Sequence, residues 1–107
     1  MTFDAYNRSV ELVRELARLL PRLTVADGDL ASQLRRAAQS CVLNVAEGNR
    51  RTGRDRCNRF RIALGSAAEV TGGLDAALAL GYLADGEAAA ALALADRVRA
   101  LTYKLAR

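Results

Sequence analysis

Residues 30–47 read LASQLRRAAQSCVLNVAE, and this stretch decides the fold class. It is rich in strong helix formers and contains neither glycine nor proline. The polar part of its second half is a thin line with a spacing of three or four residues, made of Arg36, Ser40, Asn44 and Glu47. Apolar residues cover far more than one face. A helix this apolar is buried on two sides, whereas a monomeric bundle has one interior. Helix two, over about 30–47, therefore predicts a subunit interface.

Upstream, the pattern predicts helix one over about 4–20. Its apolar positions recur at alternating spacings of three and four: Phe3, Tyr6, Val10, Val13, Ala17 and Leu20, widened by Leu12, Leu16 and Leu19. Pro21 is expected to end the helix because proline cannot continue it. Residues 22–29 are then a loop, in which Asp27 to Asp29 supply turn and cap chemistry.

Downstream, Gly48 is expected to stop helix two, and 48–54 to form a tight basic loop. Thr52 and Asp55 have capping-box spacing at the start of helix three, over about 53–80. Helix three carries a seven-residue repeat: Cys57, Phe60, Leu64, Ala67, Thr71, Leu74 and Leu78. Its internal glycines indicate close approach of another helix, or a kink at Gly72–Gly73.

Helix four is predicted over about 86–105, with Asp85 as its cap. Its stripe is Ala88, Ala91, Ala95, Val98, Thr102 and Leu105. All connections are short, so neighbouring helices run antiparallel. The sequence therefore predicts one all-α domain over 1–107, an antiparallel up-down four-helix bundle.

Composition argues against catalysis. There is no histidine, which removes the commonest general base and metal ligand. Cys41 and Cys57 lie in apolar helical patterns and are expected to be core residues. Glu47 could serve as a general base, but pairing with Arg36, with Arg50 or with backbone near the helix end is favoured. The expectation is a non-enzyme without cofactor or metal.

The N-terminal residues carry charges throughout and contain no apolar run typical of a signal peptide. No stretch of 18 or more apolar residues follows. The expected location is the cytoplasm, without a membrane partner.

The net charge of +4 is concentrated in one segment. Residues 35–61 carry two acids and eight arginines, a net of +6. The arginines are Arg35, Arg36, Arg50, Arg51, Arg54, Arg56, Arg59 and Arg61. Guanidinium groups suit phosphate, so these eight are the candidate nucleic-acid-binding residues. The alternative is a solvated face that keeps the protein in solution, since few aromatic residues are interleaved for base stacking.

One further pattern spans two helices and their connection. Residues 32–70 read SQLRRAAQSCVLNVAEGNRRTGRDRCNRFRIALGSAAEV, and 77–83 read ALALGYL. This segment resembles the four-helix-bundle family of 23S rRNA intervening-sequence proteins, which includes the accessory variability determinant of diversity-generating retroelements. The shared pattern is QLRRAA-x-S-x-x-x-N-x-AEG, a basic stretch, IA-x-GS-x-x-E and a GYL turn. The chain departs from it early in helix three, where Arg56 and Arg59 replace aromatic or aliphatic residues.

The resemblance implies a homopentameric barrel with a central channel, which fits the two-sided apolar helix two. For the retroelement members it implies RNA or DNA binding and partnership with a reverse transcriptase. Five copies would repeat the arginines around a ring, so that weak phosphate contacts add up. The competing hypothesis is an oligomeric protein-interaction scaffold with no nucleic-acid role.

Overall fold

Four helices make up the chain in a computed structural model, which describes residues 3–107, with side chains from Asp4 onward. They are α1 (Phe3–Ala26), α2 (Gly28–Arg50), α3 (Gly53–Ala79) and α4 (Ala89–Leu105). Each packs against its two neighbours in a closed ring, with α4 against α1. The result is an up-down bundle measuring 43 × 22 × 19 Å. The all-α four-helix prediction is confirmed.

The core-facing stripe of α1 differs from the predicted one. Its buried residues are Ala5, Ser9, Leu12, Leu16, Leu19 and Leu23. In the predicted stripe, Val10, Val13 and Leu20 are only partly buried, while Tyr6 and Ala17 are exposed. The side chain of Phe3, also assigned to that stripe, lies outside the described residues. The predicted stripe therefore flanks the core, and the leucines assigned to its margin form the centre.

Pro21 does not end α1, which corrects the prediction. The helix continues to Ala26, and Asp27 alone separates it from α2. Leu23 beyond the proline is fully buried, so core packing outweighs the hydrogen bond that proline removes. Asp27 caps α2 as expected: its Oδ1 accepts a 3.1 Å hydrogen bond from the Leu30 amide.

Gly48 does not end α2 either. The helix continues to Arg50, and the expected loop over 48–54 is reduced to Arg51 and Thr52. A Cβ on Gly48 would lie 2.8 Å from two atoms of the Phe60 ring. Glycine is needed here because α3 crosses closely, and not for a helix stop. Thr52 is the N-cap of α3, but its side chain makes no capping hydrogen bond.

The internal glycines of α3 produce no break, since the helix runs unbroken from Gly53 to Ala79. The close-approach interpretation is confirmed at Gly73, where a Cβ would lie 2.5 Å from Leu34 Cδ2. Midway along the same interface, Ser66 Oγ donates a 2.7 Å hydrogen bond to Ser40 Oγ. Small residues therefore set the distance between α2 and α3.

A glycine-based cap ends α3. Gly81 has φ +79, which favours glycine. Its amide bonds to the Leu78 carbonyl (3.1 Å), and the Tyr82 amide bonds to the Ala77 carbonyl (2.9 Å). These two bonds define a Schellman motif.

Helix α4 begins three residues later than predicted, and its N-cap is Ala88 rather than Asp85. Glu87 instead ties the turn together by accepting a 2.9 Å hydrogen bond from the Ala84 amide. The stripe predicted for α4 is largely confirmed: Ala88, Ala91, Ala95, Val98 and Thr102 are buried, and Leu105 is partly buried.

The two cysteines differ. Cys41 is fully buried between α2 and α3, and burial raises the pKa of its thiol to about 12. Cys57 is only half-buried, with its Sγ 3.7 Å from the Arg107 carbonyl oxygen, so the expectation of a core residue was wrong there.

Part of the predicted second apolar face of α2 is visible. Leu43 is 64% exposed, and its neighbours Val42 and Ala46 are partly buried. Tyr6 on α1 is also exposed. Among residues 3–107, no helix is both long and apolar enough to cross a bilayer.

Candidate nucleic-acid interface

The basic segment lies at the end of the bundle where α2 ends and α3 begins. Six of the eight candidate arginines, Arg50, Arg51, Arg54, Arg56, Arg59 and Arg61, fall within the last turn of α2, the two-residue connection and the first turns of α3. Gly53 allows the tight connection because its φ is +60. Arg35 and Arg36 lie about 20 Å away along α2, roughly four turns earlier. The structure therefore separates the eight residues into two groups.

Arg51 links the two helices through a pair of carboxylates. Its Nη2 and Nε lie 3.0 and 3.2 Å from Glu47 Oε2, and its Nη1 donates a 2.9 Å bond to Asp55 Oδ2. Hydrogen bonding to Glu47, with added attraction from Asp55, raises the pKa of Arg51. Glu47 is thus ion-paired, which agrees with the pairing role favoured from the sequence. Its partner, however, is Arg51 and neither Arg36 nor Arg50. The charge of Arg51 is already compensated.

Arg56 faces the protein interior. Its Nη1 donates a 3.0 Å hydrogen bond to the Gly48 carbonyl, and its guanidinium carbon lies 4.8 Å from the Phe60 ring centroid. Arg59 approaches Asp55 at 3.9 Å and is about one-third exposed. Both arginines fill the position where the family resemblance led us to expect aromatic or aliphatic residues. Sequence reasoning did not identify the set of Gly48, Arg56 and Phe60, although Arg56 and Phe60 are four residues apart and so share a face.

The remaining basic side chains at this end point to solvent. Arg50, Arg54 and Arg61 are exposed and form no ion pair with any residue that the structure describes. Arg54 and Arg61 line a shallow depression on the outer surface of α3, together with Asp55 and Asn58. Of the distant pair, Arg36 donates a 3.1 Å bond to Ser32 Oγ. The available positive charge is therefore carried by fewer residues than the composition indicated.

The hydroxyl groups serve helix packing. Ser40 accepts from both Ser66 Oγ and Asn44 Nδ2, and Thr71 Oγ1 lies 3.4 Å from the Ala67 carbonyl. None of these bonds couples a hydroxyl to a carboxylate that could act as its base. Among the described residues, no three Cys, Asp or Glu side chains cluster so as to hold a metal ion.

We expect Arg56→Ala to lower the free energy of unfolding by about 1–2 kcal/mol, because it removes the partly buried hydrogen bond to the Gly48 carbonyl and the cation–π contact with Phe60. Arg54→Ala is the matched control, since this side chain is exposed and should change stability by less than about 0.5 kcal/mol. Urea denaturation followed by circular dichroism measures both. Equal losses in the two variants would contradict the assignment of Arg56 to the fold.

Comparison with known proteins agrees with this architecture. The family model described as 23S rRNA-intervening sequence protein matches residues 1–104. The crystal structure of a protein of unknown function from the S23 ribosomal protein family of Bacteroides thetaiotaomicron superimposes with a TM-score of 0.85 at 19% identity, covering 96% of this chain and 98% of that chain. No match was found among curated proteins. A similarity at this identity supports the fold, and the family match covers nearly the whole sequence. The chain belongs to the 23S rRNA-intervening sequence protein family.

Proposed function

We propose that the chain is a non-catalytic accessory protein that assembles into a homopentamer and binds the backbone of RNA or DNA. The observation that supports nucleic-acid binding is the set of exposed arginines at one end of the bundle, Arg50, Arg54 and Arg61. The two acids of the segment, Glu47 and Asp55, are held by Arg51. Arg51 offsets one of these two negative charges, so the seven other arginines of residues 35–61 still leave the segment with its net charge of +6.

Self-association is supported by apolar side chains that one copy leaves in solvent. Leu43 is the example on the predicted second face of α2, where it is 64% exposed and lies between partly buried Val42 and the polar line. Burying it against another copy is favourable at about 25 cal/mol per Å². A ring would also repeat the exposed arginines, which makes a polyanion that touches several copies bind more tightly than one copy could. The resemblance to retroelement accessory proteins extends the proposal to a reverse transcriptase as partner.

The experiment that tests the proposal combines solution mass with binding. We expect light scattering at micromolar concentration to give the mass of five chains, and binding to a structured RNA and to duplex DNA to weaken steeply with salt. Leu43→Glu should release smaller species and lower the apparent affinity at least about tenfold, because avidity is lost. Val25→Glu, at an 89% exposed position on α1, is the control and should leave both unchanged. A monomeric wild-type chain, or one that binds neither nucleic acid, would refute the proposal.

A second candidate is an oligomeric protein-interaction scaffold. The observation that favours it is the exposure of large apolar side chains away from the arginines, such as Leu80 on the α3–α4 turn. Affinity capture after nuclease treatment separates the two. A stoichiometric protein partner, recovered from a chain that shows no affinity for RNA or DNA, would support the scaffold.

A further inference from the structure

The outer surface of α3 offers two phosphate-binding groups at a fixed spacing. Arg54, Asn58 and Arg61 are separated by four and then three residues, so they share one exposed face of a helix. The same three residues line one shallow depression together with Asp55. We call Arg54, Asn58 and Arg61 the α3 ridge.

The acid beside the α3 ridge is already engaged. Asp55 Oδ2 accepts a hydrogen bond from Arg51 at 2.9 Å, and its Oδ1 lies 3.9 Å from Arg59 Nε. Asp55 is therefore ion-paired with Arg51 and lies near Arg59, although it remains 47% exposed and lines the depression itself. An anion approaching from solvent meets two guanidinium groups, those of Arg54 and Arg61, against this one carboxylate, so the lining of the depression keeps a net positive charge.

The spacing of Arg54 and Arg61 along α3 is compatible with contacts to a double helix. Arg54 and Arg61 are seven residues apart, which corresponds to about 10 Å along the helix axis. The minor and major grooves of B-DNA are about 6 and 12 Å wide, and flexible arginine side chains can converge or diverge from the backbone spacing by several Å. Two long side chains at this separation can therefore reach phosphates on both sides of one groove. Asn58 lies between them and can both donate and accept hydrogen bonds.

The α3 ridge lacks the aromatic side chains on which the bases of a single strand usually stack. No aromatic side chain lines its depression. Tyr103 lies at the same end of the bundle, but its ring faces the Arg107 guanidinium at 5.5 Å and lines a separate groove with Asp96 and Arg99. Binding to unpaired strands depends strongly on such stacking platforms.

We infer that the α3 ridge binds base-paired nucleic acid by bridging the two strands across one groove, with Arg54 and Arg61 on phosphates and no reading of bases. This inference rests on the proposed nucleic-acid function and names the form of nucleic acid and the residues. It assigns to Arg51, Arg56 and Arg59 the task of holding the ridge in place. The ligand class is duplex RNA or duplex DNA of any sequence.

The test uses the full chain and three probes of equal length: duplex RNA, duplex DNA and the single strands of the same sequences. We expect wild type to bind both duplexes at least tenfold more tightly than the single strands, with little dependence on sequence. The Arg54→Gln/Arg61→Gln variant should bind duplexes at least tenfold more weakly. Its log–log salt slope should fall by about two. The matched control is Arg14→Gln/Arg18→Gln, which removes the same charge from an exposed face of α1 and should bind as wild type does.

The outcomes separate this inference from the proposed function. If wild type binds no nucleic acid, both fail. If wild type binds duplexes but the α3 ridge variant retains the wild-type affinity and slope, the ridge assignment alone fails. Single strands binding as tightly as duplexes would overturn the groove-bridging geometry. Thermal melting of each variant confirms that the exposed substitutions leave the bundle folded.

Discussion

Phe60→Ala is expected to lower the free energy of unfolding by about 3–5 kcal/mol, the usual cost of removing a buried aromatic ring. Phe60 is the largest fully buried side chain among the residues whose side chains are described, and one of their two core clusters contains it with Ala5, Val45, Ala63 and Ala106. The other buried members of this cluster are mostly alanines, which cannot extend into the vacated space, and Leu101 and Leu105 pack against the cluster from partly buried positions. The cavity should therefore remain open.

The measurement is urea denaturation of purified protein, with the midpoint and slope fitted together. Phe60→Leu keeps most of the apolar volume and should lose less than about half as much stability as Phe60→Ala. Ile62→Ala is the control on the same turn, because Ile62 is 40% exposed. A loss below about 1.5 kcal/mol in Phe60→Ala would show that this end of the bundle tolerates a cavity. It would also mean that Phe60 is not the side chain that mainly stabilises the crossing of α2 and α3.

Helix number and order could be predicted from the sequence, but the helix ends could not. Pro21 and Gly48 are local stop signals, and both lie inside helices. Leu23 and Phe60, which pack into the core next to these positions, hold the backbone helical across them. Such contacts join residues distant in sequence, so a local pattern does not contain them. At Asp27 the predicted cap chemistry was confirmed, because a cap is made by local contacts, but α2 begins at Gly28 and not at about Leu30.

The two apolar stripes of α1 show a second limit. Tyr6, Val10 and Val13 follow helical spacing as well as Leu12 and Leu16 do. Periodicity identifies an apolar face but cannot say which of two adjacent stripes meets the other helices. The buried stripe is the one with larger leucine content, and the other flanks the core.

Within the candidate interface, the sequence identified the residue type but not which arginines are available. The spacing of Glu47, Arg51 and Asp55, four residues apart in each case, is that of helical ion pairs. This spacing is present in the sequence, but the rule for pairs four residues apart applies only where the backbone is helical or nearly so. Because a loop was expected over 48–54, the rule was not applied there. In the structure the connection has only two residues, so Arg51 links α2 and α3, whereas Arg54 and Arg61 are exposed to solvent.

Gly73→Val is expected to lower the free energy of unfolding by about 1–3 kcal/mol, the range for overpacking a well-filled core. A Cβ at this position would lie 2.5 Å from Leu34 Cδ2 and 3.0 Å from Leu34 Cγ. Leu34 is 1% exposed, so moving its side chain aside disturbs its contacts in the core. Valine adds two methyl groups beyond this Cβ, and they increase the steric overlap. The resulting loss of stability exceeds the few tenths of a kcal/mol that replacing a helical glycine contributes.

Gly72→Val provides the matched control one residue away. A Cβ on Gly72 meets nothing within 4 Å, so this variant should be as stable as wild type or slightly more stable. Leu34→Ala should itself cost about 2–5 kcal/mol, but combined with Gly73→Val it should cost less than the sum of the two single losses, since valine then occupies the space that leucine leaves. The coupling free energy from this double-mutant cycle should reach about 0.5–3 kcal/mol. If the loss in the double variant equals the sum of the two single losses, α2 and α3 move apart at this point. The distance between the two helices would then not depend on the absence of a side chain at Gly73.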